Sequence, residues 1–278
     1  MIPSLYLHPL SALTIQDWSI HWSTVIGLAV LGALYVYAWR HERPNLAEKI
    51  SFSAGLAIIF LSLNGPIHDL SDFYLFSAHM VQHLLLTLVV PPLLIAGTRG
   101  GMLRPLLTVR GVGPVARFLT RPIICYAVFN VVLALWHMPL FYNAAMADHT
   151  VHIAQHLSMM ITATLMWWPL MSPLPELPRL SYPGQMLYCF LMVIPMSVVA
   201  IYIALADTLL YPAYAAAPRI WGISPMLDQH IGGLIMWIPG GLFFYAIMSV
   251  VFFQWVKRGE DSTAAAQIGW APVVGKSE

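Results

Sequence analysis

The chain has 278 residues, of which 59% are hydrophobic and only 9% charged, with a formal net charge of +1. That composition excludes a soluble globule, which could not keep so much apolar surface inside, and defines an integral membrane protein with the lipid bilayer as its solvent. A charge near zero, with arginines scattered and not gathered into a basic stripe, excludes nucleic acid as a partner.

The first residues, 1–18, carry neither a cationic n-region nor a small-residue cleavage site, so 1–19 reads as an interfacial lead-in and not a removed signal peptide. Crossing ~30 Å of hydrocarbon at 1.5 Å per residue takes ~20 apolar residues. Seven stretches fit, at about 20–39, 50–65, 74–97, 122–141, 150–171, 185–206 and 228–255. Pro91, Pro92, Pro195 and Pro239 fall inside these spans and predict kinks, which a bundle tolerates when neighbours satisfy the freed carbonyls. The connections 172–184 and 209–225 are rich in proline and too short to be domains.

Twelve of the thirteen basic residues fall on alternate connections: after span one, between spans three and four, after span five and after span seven; Arg219 alone lies opposite. By the positive-inside rule the N-terminus is expected outside and the tail, 257–278, in the cytoplasm. The outer side collects Asp17, Asp69, Asp72, Asp148, Asp207 and Asp228.

A pentapeptide organises the chain. His79-Met80-Val81-Gln82-His83 recurs as His152-Ile153-Ala154-Gln155-His156, and again as Met226-Leu227-Asp228-Gln229-His230, with Met in place of the first His. His83, His156 and His230 are 73 and 74 residues apart, and Pro66, Pro139 and Pro212 precede them by 17, 17 and 18. The expected fold is therefore an all-α polytopic membrane protein with seven transmembrane helices. It forms one domain over 20–256, built as one helix plus three repeated helix pairs at about 50–98, 122–171 and 185–256.

On a helix, positions i, i+3 and i+4 share a face, so His79, Gln82 and His83 form one stripe and His152, Gln155 and His156 another. A single His near a membrane helix end is ordinarily interfacial, the simplest reading of His8, His21 or His149. Paired imidazoles inside spans are costly and normally face a functional partner. The expected metal ligands are His79, His83, His152, His156 and His230. Further candidates are His68, His137, Met159, Met160 and Asp228, the last of which could equally be the N-cap of span seven. Gln82, Gln155 and Gln229 read as outer partners that orient the imidazoles. Cys125 and Cys189 have no CxxC spacing and read as apolar filler. Imidazole with thioether and no thiolate, on the oxidising side of a membrane, points to copper.

Those two H-x-x-Q-H motifs, with Trp136-His137-Met138-Pro139, Trp167-Trp168-Pro169 and Asp228-Gln229-His230, make the chain resemble the CtaG-type cytochrome c oxidase assembly factors associated with caa-type oxidases of bacteria. The similarity runs over about 20–255. It implies a multi-pass protein of the bacterial plasma membrane that assembles cytochrome c oxidase, with a proposed role in supplying copper to oxidase subunits, and it leaves room for an external copper chaperone. Met226, where the other repeats have His, departs from the motif. Nothing resembles a nucleophile with its base, a phosphate loop or a nucleotide site, so no enzyme is expected. The rival reading is a bis-His haem protein, since histidines at matched depth on different helices can supply two axial ligands. A copper permease is the weaker alternative, as few polar residues line the inner half.

Overall fold

The structure, a computed structural model, describes residues 19–269, with side chains described as far as Gly259. Residues 1–18 of the lead-in expected over 1–19, and residues 270–278 of the tail expected over 257–278, lie outside the described residues. Among those described, all regular structure is helical.

In chain order the helices are α1 (Trp22–Ala38), α2 (Leu46–Leu63), α3 (Pro66–Phe73), α4 (Phe76–Leu84), a π-helical turn (Leu85–Val89), α5 (Val90–Ala96), α6 (Gly100–Leu107), α7 (Val112–Leu119), α8 (Pro122–His137), α9 (Pro139–Ala147), α10 (His149–Met171), α11 (Tyr182–Ala204), α12 (Pro212–Ala215) and α13 (Pro225–Gly269). The ends follow ordinary chemistry. Asn45 and Glu48 form a capping box that starts α2. Asp148 accepts from the backbone N–H groups of Thr150 and Val151 at 2.7 and 3.1 Å and so starts α10. Those two donors, Val151 foremost, hold the Asp148 carboxyl below the usual carboxylate range. Pro66, Pro139 and Pro212 each stand at the start of a short helix, where a missing N–H does no harm.

Four of the described segments are long and apolar enough to cross a membrane: Leu46–Leu63, Phe76–Ala96, Tyr182–Ala204 and Pro225–Gly259. The pair Val112–Leu119 and Pro122–His137, bent by 75°, makes a fifth if counted as one span. The expected seven are thus not all present by length and composition. Helix α1 is apolar but has 17 residues. Helix α10 has 23 residues, but His149, His152, Gln155 and His156 occupy its first turns and dilute its hydropathy. The expected third span, 74–97, is a helix over Phe76–Ala96 that changes character at the π-helical turn.

That turn has a cause in the sequence. Pro91 has no N–H, so the carbonyl four residues earlier, on Thr87, loses its intrahelical donor. Trp167 of α10 supplies a replacement, its indole N–H donating to the Thr87 carbonyl at 2.9 Å. The Thr87 hydroxyl donates to the His83 carbonyl at 2.7 Å, and Trp167 stacks on Phe244 of α13. Helix α13 packs along α11 and also against α4. Gly232 and Gly233 permit this double contact. A Cβ on Gly232 would run into the Phe76 ring, and one on Gly233 would lie 2.6 Å from the Ala204 backbone nitrogen.

Outward faces carry exposed apolar side chains such as Leu187, Val198, Ile238 and Leu242, while His79, Gln82, Gln155 and Asp228 are buried. An apolar exterior around polar groups is the arrangement a bilayer selects. Cys125 and Cys189 are buried and free, as filler would be. Trp167→Phe leaves the Thr87 carbonyl buried without a donor and is expected to destabilise the protein by ~1–3 kcal/mol. Trp168→Phe, whose indole bond to Leu177 is only partly buried, is expected to do less; thermal unfolding in detergent measures both.

Candidate metal centre

Helix α4 is fixed from outside itself. The Asp228 carboxylate on α13 accepts from the backbone N–H of Phe76 at 2.6 Å, from that of Ser77 at 3.1 Å and from the Ser77 hydroxyl at 2.5 Å. It caps α4, not its own helix, and belongs to no ligand group. With its first turn held, α4 turns His79 and His83 inward, where they are 0% and 4% exposed. Helix α10 turns His152, Gln155 and His156 to meet them.

Two ligand groups result. His79, His83 and His156 each offer a ring nitrogen, and these atoms lie within 4.8 Å of one another. Asp72, His79 and His152 do the same. The rings of His79 and His83 are 4.3 Å apart, His83 and His156 5.3 Å, His79 and His156 5.5 Å, and His79 and His152 5.6 Å. His152 and His156 bring their Nε2 atoms to 2.8 Å. Both ring nitrogens of His79, both of His83 and Nδ1 of His156 are buried with no hydrogen-bond partner. Buried polar atoms are almost always paired, so five unpaired imidazole nitrogens in one pocket depart from the usual pattern.

Asp72, on α3, was not singled out by its sequence context, although it follows His68 by one turn on the same face. Its carboxylate oxygens lie 3.3 Å from His152, 3.4 Å from His68 and 3.9 Å from His79. Burial pushes the Asp72 carboxyl up to about 8, against a hydrogen bond from Ser71 that pulls the other way. Burial lowers His68 to about 3, with His21 and His152 adding to the effect.

The other expected residues divide. His137, ending α8, lies 5.6 Å from His83 ring to ring; its Nδ1 bonds the Leu133 carbonyl at 2.7 Å and its Nε2 is buried and unpaired. His68 continues the line outward to His21 at 4.4 Å, and His21 to His149 at 5.8 Å. Met159 and Met160, adjacent and so ~100° apart around α10, face different spaces. Met159 borders a void with His83 and His137; Met160 lines a cavity of about 340 Å³ between α1, α2 and α10, beside His152 and His156. His230 stands apart from both ligand groups, its Nε2 3.1 Å from the Ala206 carbonyl at the end of α11.

The glutamines do not share one role. Gln82 donates to the Ser62 carbonyl at 2.5 Å and faces His68 at 3.4 Å. Gln229 accepts from the Leu210 N–H at 2.7 Å and donates to the Thr208 carbonyl at 3.2 Å, holding the loop between α11 and α12. Gln155 is buried with both side-chain atoms unpaired. The pattern reading also missed Tyr142, whose ring is 5.3 Å from His79 and whose hydroxyl bonds that of Tyr214 at 2.9 Å.

Helices of this length and polarity around an interior of imidazoles define a helical membrane protein with a histidine-lined core. The sequence matches the model of the cytochrome c oxidase caa3 assembly factor family over residues 33–258, and the chain belongs to that family. It is 25% identical over 202 residues to uncharacterized proteins of Mycobacterium bovis and Mycobacterium tuberculosis, a match covering 66% of this chain and 30% of theirs. The chain thus spans about a third of the length of the curated relatives it matches. No solved structure matches it.

Asp228→Ala removes all three bonds at the start of α4. We expect a loss of ~1–2 kcal/mol in stability, as for other N-caps, measured by thermal unfolding. Asp207→Ala, at an acid between α11 and α12 with none of these bonds, is the comparison expected to change little.

Proposed function

We propose that this chain binds copper at the outer face of the bacterial plasma membrane and passes it to cytochrome c oxidase during assembly of that enzyme. The observation that carries the reading is the set of unpaired, buried ring nitrogens on His79, His83 and His156 within ligand distance of one another. These residues fit a late first-row metal, since imidazole suits copper, and Met159 and Met160 add thioether beside them. Membership of the assembly-factor family supplies the destination.

The topology that goes with this reading has α1, α2, α4 with α5, α8, α10, α11 and α13 as seven crossings, with the N-terminus outside. Copper then meets His21 and His149 first, passes His68 and Asp72, and reaches His79, His152, His83 and His156. His230, bonded to a backbone carbonyl, would have to turn its ring to join them. The role is that of a carrier and not a catalyst; the oxidase, and a copper donor outside the membrane, are the partners it requires.

A bis-His haem is less well supported. Axial imidazoles must stand on opposite sides of a planar macrocycle, whereas His79, His83 and His156 pack ring against ring at 4.3–5.5 Å.

Metal analysis of the purified chain tests the reading. We expect His79→Ala and His83→Ala each to weaken copper retention by more than the ~10–100-fold that follows loss of an outer-shell partner. Arg104→Ala, whose side chain pairs with Glu176 on the expected inner side at 2.6 Å, should leave retention unchanged. Equal retention in all three would reduce the histidines to structural residues. For orientation, a reporter fused after Lys257 should read as cytoplasmic and one inserted near Ala145 as external.

A further inference from the structure

Beneath the three-imidazole group, on the side away from α3, lies a void of about 10 Å³. A space of that size takes one water-sized particle. Met80, Met159, Met196 and Met236 border it together with His83 and His137. The four methionines come from α4, α10, α11 and α13, and all are buried. Buried methionines alone would be ordinary packing. The histidines make the difference.

The Leu133 carbonyl can only accept, so the 2.7 Å contact places the proton of His137 on Nδ1. The lone pair is then on Nε2, which is buried and unpaired. An imidazole that donates one N–H to a carbonyl and leaves the other nitrogen free has the arrangement of a metal-bound histidine. His83, 5.6 Å away and nearly perpendicular at 81°, has both nitrogens unpaired.

We propose that His83 and His137, with the thioethers of Met159, Met196 and Met236, form a second metal site, softer than the outer one, which holds a single Cu(I) ion. The proposal rests on the copper reading above and adds to it an inner resting place with sulfur ligands. Two arguments favour the monovalent ion. Thioether sulfur selects Cu(I) among the metals that imidazole also binds. Every group bordering the void is neutral apart from the histidines' own equilibrium, and an uncompensated divalent charge in apolar surroundings is far costlier than a monovalent one. The outer group, by contrast, contains the Asp72 carboxyl. Softness thus rises inward along the histidine line. The ion enters and leaves as Cu(I), so no electron transfer is involved.

The test is copper-edge X-ray absorption, with Cu(I) stoichiometry, on the full chain in detergent under ascorbate. The wild type should show both nitrogen and sulfur neighbours. The variant carrying Met159→Leu, Met196→Leu and Met236→Leu keeps side-chain volume, and each such swap usually disturbs a core by less than ~1.5 kcal/mol. It should lose the sulfur signal. The single variant Met196→Leu guards against misfolding of the triple one and should lower the sulfur amplitude while eluting as the wild type does. Arg104→Ala, whose side chain pairs with Glu176 and does not border the void, should keep the sulfur signal. Copper bound by nitrogen and oxygen alone in the wild type, or an undiminished sulfur signal in the triple variant, would overturn the inner site and leave the copper reading standing. A wild type that holds no copper at all would remove both.

Discussion

The carboxylate of Asp228 decides where the histidines point. It reaches from α13 to the first turn of α4 and takes up two backbone N–H groups and a hydroxyl there. In a bilayer interior those donors have no water to turn to, so a cap borrowed from another helix fixes both the position and the rotation of α4. His79 lies one turn beyond the cap and His83 one turn further. The close approach of α13 at Gly232 and Gly233 belongs to the same arrangement, because a bulkier residue there would push α13 off Phe76 and Ala204.

Given that orientation, the interior becomes a line of rings. His149, His21, His68, His152, His156, His79, His83 and His137 follow one another with centroid separations from 4.3 to 6.3 Å. Three aromatic residues, Tyr142, Tyr211 and Phe76, pack together with ring separations of 4.2 to 5.6 Å, and Tyr142 meets this line at His79.

Much of this was legible in the sequence, and the rest was not for identifiable reasons. The membrane class follows from composition alone, and the pairing of His79 with His83 and His152 with His156 follows from helical spacing. His230 shares the motif but not the neighbours: α13 runs along α11, so its ring meets the Ala206 carbonyl at the end of that helix. A repeat in sequence fixes a residue's place on its own helix and says nothing of what stands opposite. The same limit hid the backbone partners of Gln82 and Gln229: Gln82 bonds the Ser62 carbonyl as well as facing His68, and Gln229 bonds Leu210 and Thr208. Asp72 was passed over as one of several outer acids, because only the fold brings α3 against α10. Met196 and Met236 lie in apolar helices with no pattern to separate them from filler. The count of spans was obscured from the other direction, since the histidines of α10 that give the core its chemistry also lower that helix's hydropathy.

The π-helical turn below His83 has an electrical meaning. A turn with one extra residue shifts the face of the helix, so the stripe of His79 and His83 is not carried down into α5. What lies beyond the methionine-bordered void is Ile95, Met166, Trp167, Leu170 and Phe244, all buried and in one apolar cluster. A bare cation entering that layer faces a Born penalty of order tens of kcal/mol, whereas a membrane potential of 100 mV offers only ~2.3 kcal/mol per charge. The floor of the bundle is therefore an insulator. Ions do not pass through such a layer, so a membrane protein built this way does not short-circuit an energised membrane.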